Sequence, residues 1–142
     1  MPDNPATLDK DRTHMTAHAM NHFTILAEDL GETCGFYRDL LGLHEGYRPD
    51  MGFPGAWLYA GEQAVLHVVI RNPLPQPRAG VLDHMAFSAV GLAAIVGKLE
   101  ERGMRYQLGR QVETSVWQLF FHDPNGARVE LDFAATEEGP PK

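Results

Sequence analysis

Apolar residues along this chain switch between two periods. From Met20 to Ala27 they alternate with polar ones, which predicts a strand. Asp29 then stands where a helix N-cap belongs, and Leu30, Cys34, Tyr37 and Leu41 recur at helical spacing until Gly42 ends the run. Short strands are predicted over Leu43–Arg48, Ala56–Ala60 and Ala64–Ile70, the last two joined through Gly61-Glu62-Gln63. Residues 71–80, RNPLPQPRAG, hold three prolines that fit neither a central strand nor a helix interior, so they form a connector. The pattern then restarts. Leu82–Ala89 reads as a strand, and Leu92, Ile95, Val96 and Leu99 form an amphipathic helix closed by Gly103. Strands over Arg105–Arg110, Val116–Phe121 and Ala127–Phe133 follow, with Asp123-Pro124-Asn125-Gly126 as the last hairpin turn.

The restart is a repeat. Asn21-His22-Phe23 aligns with Asp83-His84-Met85 at an offset of 62, and Ala64–His67 with Ala127–Glu130 at 63. Gly42 and Gly103 are 61 apart, and Trp57 aligns with Trp117 at an offset of 60. Two copies of one supersecondary unit are expected to bury their apolar faces together. The fold class is therefore α+β, with two βαβββ repeats forming a cupped mixed sheet in a single domain. Repeat one spans 20–70 and repeat two 81–134, between an N-terminal tail (1–19) and a C-terminal tail (135–142).

Strand parity then picks out polar residues in unusual places. Phe23 and Ile25 share one face while His22 and Thr24 share the other; Leu66, Val68 and Ile70 oppose His67; Met85 and Phe87 oppose His84; Val129, Leu131 and Phe133 oppose Glu130. An unpaired carboxylate buried between Val129 and Leu131 is costly, and a cation removes that cost. The repeat makes His22 equivalent to His84 and His67 to Glu130, so a pseudo-two-fold axis is expected to gather all four around one divalent metal. Fe, Mn, Ni, Co and Zn all suit such nitrogen and oxygen donors. His67 either coordinates or stands beside the metal as an acid/base group. Gln118 and Phe120 share a face near this site, and Trp57, Tyr59 and Trp117 offer aromatic surface to a substrate. His44 reads as a strand-surface residue, His122 as a turn residue, Cys34 as a core thiol, and Arg38 and Asp39 as helix-surface or interface residues.

Charge and composition narrow the partners. With 12 basic and 19 acidic side chains the net charge is −7, which disfavours a nucleic-acid backbone. One cysteine allows no internal disulfide, and no apolar run reaches the roughly 20 residues of a membrane span, so a cytoplasmic location with no membrane partner is expected. His14 and His18 have helical i, i+4 spacing, yet the polar, proline-containing segment around them reads as a solvated tail.

The run Phe36-Tyr37-Arg38-Asp39-Leu40-Leu41-Gly42-Leu43, together with Asp123-Pro124-Asn125-Gly126 and Val129-Glu130-Leu131, resembles the vicinal oxygen chelate superfamily. That superfamily includes glyoxalases, extradiol dioxygenases, fosfomycin-resistance transferases and bleomycin-binding proteins, and the likeness runs from about Met20 to Phe133. It implies a glyoxalase-like fold, a metal held by His22, His67, His84 and Glu130, a small-molecule substrate chelated through vicinal oxygens, and a homodimer.

The resemblance leaves the reaction divided. As a glyoxalase-like isomerase or lyase on a small oxygenated metabolite, the chain uses His67 as fourth ligand and Glu130 as ligand and base. As an extradiol ring-cleaving dioxygenase, it holds Fe(II) with His22, His84 and Glu130 and uses His67 as acid/base; Phe120 stands where that family has a tyrosine. Thr24 matches a substrate-contacting threonine of fosfomycin-type transferases. A non-catalytic drug-binding module, as in bleomycin resistance, is the alternative from another class. The full ligand set favours a metal-dependent enzyme over the binding module, with isomerase or lyase chemistry placed first and ring cleavage close behind.

Overall fold

A computed structural model describes residues 16–142. Most of the expected N-terminal tail, including His14, lies outside the described residues. The order is β1 (Phe23–Ala27), α1 (Leu30–Leu41), β2 (His44–Glu45), β3 (Gly55–Ala60) and β4 (Gln63–Ile70), then β5 (Met85–Ser88), α2 (Leu92–Glu101), β6 (Gln107–Arg110), β7 (Trp117–His122) and β8 (Arg128–Phe133). These are two βαβββ units. Each folds into a four-stranded mixed sheet, in the order β1-β4-β3-β2 and β5-β8-β7-β6, with β1 parallel to β4 and β5 parallel to β8. No helix among the described residues is long and apolar enough to cross a membrane.

Several elements are shorter than periodicity predicts. The first strand starts at Phe23 rather than Met20 and the fifth at Met85 rather than Leu82, so His22 and His84 sit one residue ahead of their strands. The Leu43–Arg48 strand shrinks to His44–Glu45, because only Tyr59 and Leu58 remain opposite to pair with it. His122 ends β7 and pairs with Arg128 rather than lying in the turn. The C-terminal segment is tied down as far as Glu137: its carboxylate accepts from Gly91 N (3.0 Å) and Leu92 N (2.9 Å), capping α2, whose N-cap glycine carries no side chain.

Helix α1 shows how local sequence becomes packing. Asp29 Oδ1 accepts from Glu32 N at 2.7 Å, and Gly42 adopts φ 70°, a left-handed cap that returns its N–H to Arg38 O. Asp29→Ala should cost about 1 kcal/mol, read as a lower urea midpoint with unchanged slope. Phe36, Tyr37 and Leu40 turn inward and are almost wholly buried, as is Cys34, whose thiol burial pushes up to about 11. That inert thiol fits a core role.

The two most distinctive sequence motifs meet here. Tyr37 Oη donates to Asp123 Oδ2 at 2.7 Å with both groups buried, and Asp123 Oδ1 accepts from Asn125 N and Ala127 N, each at 2.8 Å. Asn125 in turn donates to Thr33 Oγ1 at 3.0 Å and accepts from Glu28 N at 3.2 Å. Helix α1 of the first repeat is thereby locked to the closing turn of the second. Asp39, expected at the surface or an interface, links the helices: it accepts from Arg102 (2.9 Å), and its carbonyl from Lys98 (2.7 Å).

Candidate metal centre

Register carries the site residues onto one face of each sheet. In the first sheet Thr24 and Trp57 both lie opposite His67; in the second, Ala86 and Phe120 both lie opposite Glu130. The structural counterpart of Trp57 is therefore Phe120, and the expected match between Trp57 and Trp117 is corrected. Trp117 lies opposite Phe133 and packs against the core, with Arg110 at 3.7 Å over its ring, so it is turned away from the site. Two residues along a strand share a face and three do not, which is why an offset of 60 misplaced it. Tyr59 lies farther out, its hydroxyl donating to Tyr47 O at 2.6 Å and its ring beside His44.

The four candidate ligands come together as two pairs. His22 and His67 stack with ring centroids 3.7 Å apart, and Trp57 stacks on the other face of His67 at 4.1 Å. In the second sheet His84 Nε2 lies 2.7 Å from Glu130 Oε2, while Gln118 Nε2 donates to Glu130 Oε1 at 2.8 Å. Phe120 presents its ring edge-on to His84 at 5.6 Å. Among the described residues no three His, Cys, Asp or Glu side chains approach closely enough to hold one ion. The two pairs belong to separate sheets, and no ladder joins β1 to β5 among the described residues.

Both leading histidines are oriented by the residue before them. His22 Nδ1 lies 2.6 Å from Asn21 Oδ1 and His84 Nδ1 lies 2.7 Å from Asp83 Oδ2, which Arg128 also holds at 2.9 Å. Carbonyl and carboxylate oxygens only accept, so each Nδ1 donates to the residue before it, while His84 Nε2 faces the Glu130 carboxylate. The repeated Asn-His and Asp-His dipeptides are the sequence signal of this orienting device.

Electrostatics fits a cation. Glu130 is 5% exposed, and His84 Nε2 and the Gln118 amide meet its oxygens. Asp132, on the same face two residues along, is pushed up to about 6 by burial and then by Glu130, and its Oδ1 is enclosed without a partner. Parity placed Asp132 beside Glu130 from the start, yet the sequence reading passed over it. His67 is held below the ordinary imidazole range by burial, then by His22, with Arg48 adding to the effect. Taken across the two pairs, three imidazoles and a carboxylate are donor types suited to a divalent first-row ion. Thr24 and His84 also line a common cavity of about 280 Å³ beneath Leu74 and Arg78 of the connector.

The Glyoxalase/Bleomycin resistance protein/Dioxygenase superfamily model matches residues 19–131. The chain is 30% identical over 125 residues to Glyoxylase I 4 of Arabidopsis thaliana, covering 83% of this chain and 71% of that protein. Among solved structures it is similar to the glyoxalase family protein of Enterococcus faecalis, with a TM-score of 0.62, 28% identity, and 83% and 99% of the two chains covered. It also shares the fold of a genomically encoded fosfomycin resistance protein of Listeria monocytogenes, with a TM-score of 0.66 at 15% identity over 84% and 95% of the chains. With its two βαβββ units and a match spanning nearly all the described residues, this chain belongs to the Glyoxalase/Bleomycin resistance protein/Dioxygenase superfamily.

Proposed function

We propose that the protein is a divalent-metal-dependent enzyme, a glyoxalase-like isomerase or lyase acting on a small oxygenated metabolite. The observation that carries this reading is the pair of pre-oriented half-sites, His22 with His67 and His84 with Glu130, on equivalent faces of the two repeats. A complete donor set then needs two copies of the chain, one giving His22 and His67 and the other His84 and Glu130. The bound ion, whether Fe, Mn, Ni, Co or Zn, supplies Lewis-acid stabilisation of charge developing on vicinal substrate oxygens.

The chain's own groups account for the rest. Glu130 is the base that takes a proton from the carbon next to a substrate carbonyl, and Gln118 keeps its carboxylate aimed by holding Oε1. Trp57, stacked on His67, offers its other face to a planar substrate, while Thr24 and Phe120 bound it on either sheet. A small molecule is the partner in this reading.

A second reading is favoured by one feature. His67 is clamped face to face between Trp57 and His22, so coordination of one ion by both histidines would require one ring to turn out of the stack. That suits His67 as an acid/base group beside Fe(II) held by His22, His84 and Glu130, the extradiol dioxygenase arrangement. Elemental analysis of untagged protein purified without oxygen, followed by oxygen uptake over a catechol panel, separates the readings. Stoichiometric metal without oxygen consumption supports the isomerase or lyase; iron with oxygen consumption supports the dioxygenase. Failure to bind any metal after reconstitution overturns both and leaves a metal-free binding module. In His67→Ala, retained metal with lost activity marks an acid/base role, and lost metal marks a ligand.

A further inference from the structure

Arg38, Arg78, Arg102 and Arg128 each lie within 4.0 Å of a carboxylate, whereas Arg48, like Arg71, Arg105 and Arg110, has no such partner among the described residues; what sets Arg48 apart is a side chain that is partly enclosed. It is nevertheless held in place. Its Nη2 donates to Phe53 O at 3.0 Å, its Cζ lies 5.1 Å over the Phe53 ring, and its Nε is enclosed with no acceptor. Because Nε is closed off and one Nη2 hydrogen is taken by Phe53 O, an incoming two-oxygen anion would meet the Nη1/Nη2 end of the guanidinium.

Its position gives that charge a use. Gly55 lies opposite Val69 and two residues before Trp57, so it shares the face that carries Trp57 and His67. A Cβ at Gly55 would first collide with the Val68 carbonyl oxygen and would also meet Arg48 Nη2 at 3.0 Å and Cζ at 3.3 Å, so the guanidinium lies against the sheet where the side chain is missing. Around it, Tyr47, Met51 and Phe53 form an exposed apolar rim on the loop from β2 to β3. A fixed cation, a stacked aromatic platform and an apolar rim thus adjoin on one face.

We propose that Arg48 recognises a carboxylate on the substrate, making the substrate class a small carboxylic acid whose vicinal oxygens lie apart from its carboxylate. This specificity rests on the face identified above as the site, while the anion contact itself needs no metal. The planar fork suits a carboxylate in two-point contact, which a lysine ammonium reproduces only as a point charge.

The test compares 3,4-dihydroxybenzoate with its uncharged isostere 3,4-dihydroxybenzamide, anaerobically, on the full chain, once with zinc and once with EDTA. Binding is followed through the Trp57 indole N–H signal by NMR, assigned with Trp57→Phe. The expected result is an affinity for the acid at least about tenfold above that for the amide under both conditions. In Arg48→Gln that ratio should fall to near one, and in Arg48→Lys to an intermediate value, with zinc stoichiometry unchanged in both. Equal affinities of the unaltered protein for acid and amide overturn the proposal, a result independent of how any variant folds. A preference that survives intact in folded Arg48→Gln overturns it as well. If zinc fails to bind while the acid preference persists with EDTA, the metal reading falls and the carboxylate site stands.

Discussion

Mixing chains that carry His22→Ala with chains that carry Glu130→Gln, after denaturing and refolding them together, is expected to restore activity that neither variant has alone. Glu130→Gln removes the base and should lower turnover about 10²–10⁴-fold, and His22→Ala removes a donor from the other pair. If each metal centre takes His22 and His67 from one copy and His84 and Glu130 from the other, a mixed dimer has one site with both lesions and one with none. Random pairing makes half the dimers mixed, so recovery approaches about a quarter of the unaltered activity under a two-fold, two-site arrangement. Metal content should recover in step. Mixtures as inactive as the separate variants would place each site within one chain, where the present separation of the two pairs would have to close by movement of one sheet against the other.

The second large effect concerns stability. Asp123→Ala should cost about 4 kcal/mol, since one carboxylate satisfies the buried Tyr37 hydroxyl and two turn amides. Tyr37→Phe should cost about 2 kcal/mol, leaving Asp123 Oδ2 without its donor. A double-mutant cycle on urea unfolding should show strong coupling between the two, because each single change already breaks the shared bond; additive costs would mean the contact contributes little. The pH dependence follows from the same pair. Burial, then Asp123, hold the Tyr37 hydroxyl far above its ordinary value of 10.0. A group raised on folding stabilises the native state fully below its unfolded pKa, so the benefit is present below about pH 10 and is lost as pH rises beyond it. Thermal melts should therefore fall more steeply above pH 10 in the unaltered protein than in Tyr37→Phe.

This lock also explains why the sequence could be assigned at all. The FYRDLLGL run and the DPNG turn are distant in the chain, yet Tyr37 and Asp123 meet inside the molecule, and Asn125 secures both Thr33 and Glu28. Such residues are legible because a buried polar group tolerates few substitutes. Parity likewise exposed Glu130, His67, Gln118 and Phe120, since a strand has only two faces and the apolar one was plain. The repeat paired His22 with His84 by simple offset. It failed for Trp117, where aromatic identity was taken for equivalence although the offset reversed the face.

Other features had no periodic signature. Arg48 belongs to a loop whose course is fixed by Phe53 and the space above Gly55, contacts that no spacing rule anticipates. The capping of α2 by Glu137 joins positions 45 residues apart and is equally invisible in sequence. The amino-acid sequence by itself determined the two βαβββ units, their facing and the identity of the polar residues on the inner faces, because hydrophobic period and strand parity are local properties. Only the tertiary structure decided that the four candidate ligands form two separated pairs. Hydrogen-bonded ladders unite β1 with β4 and β5 with β8 but leave the two sheets unjoined, and the edges of those sheets carry the same sequence whether they meet within one chain or between two.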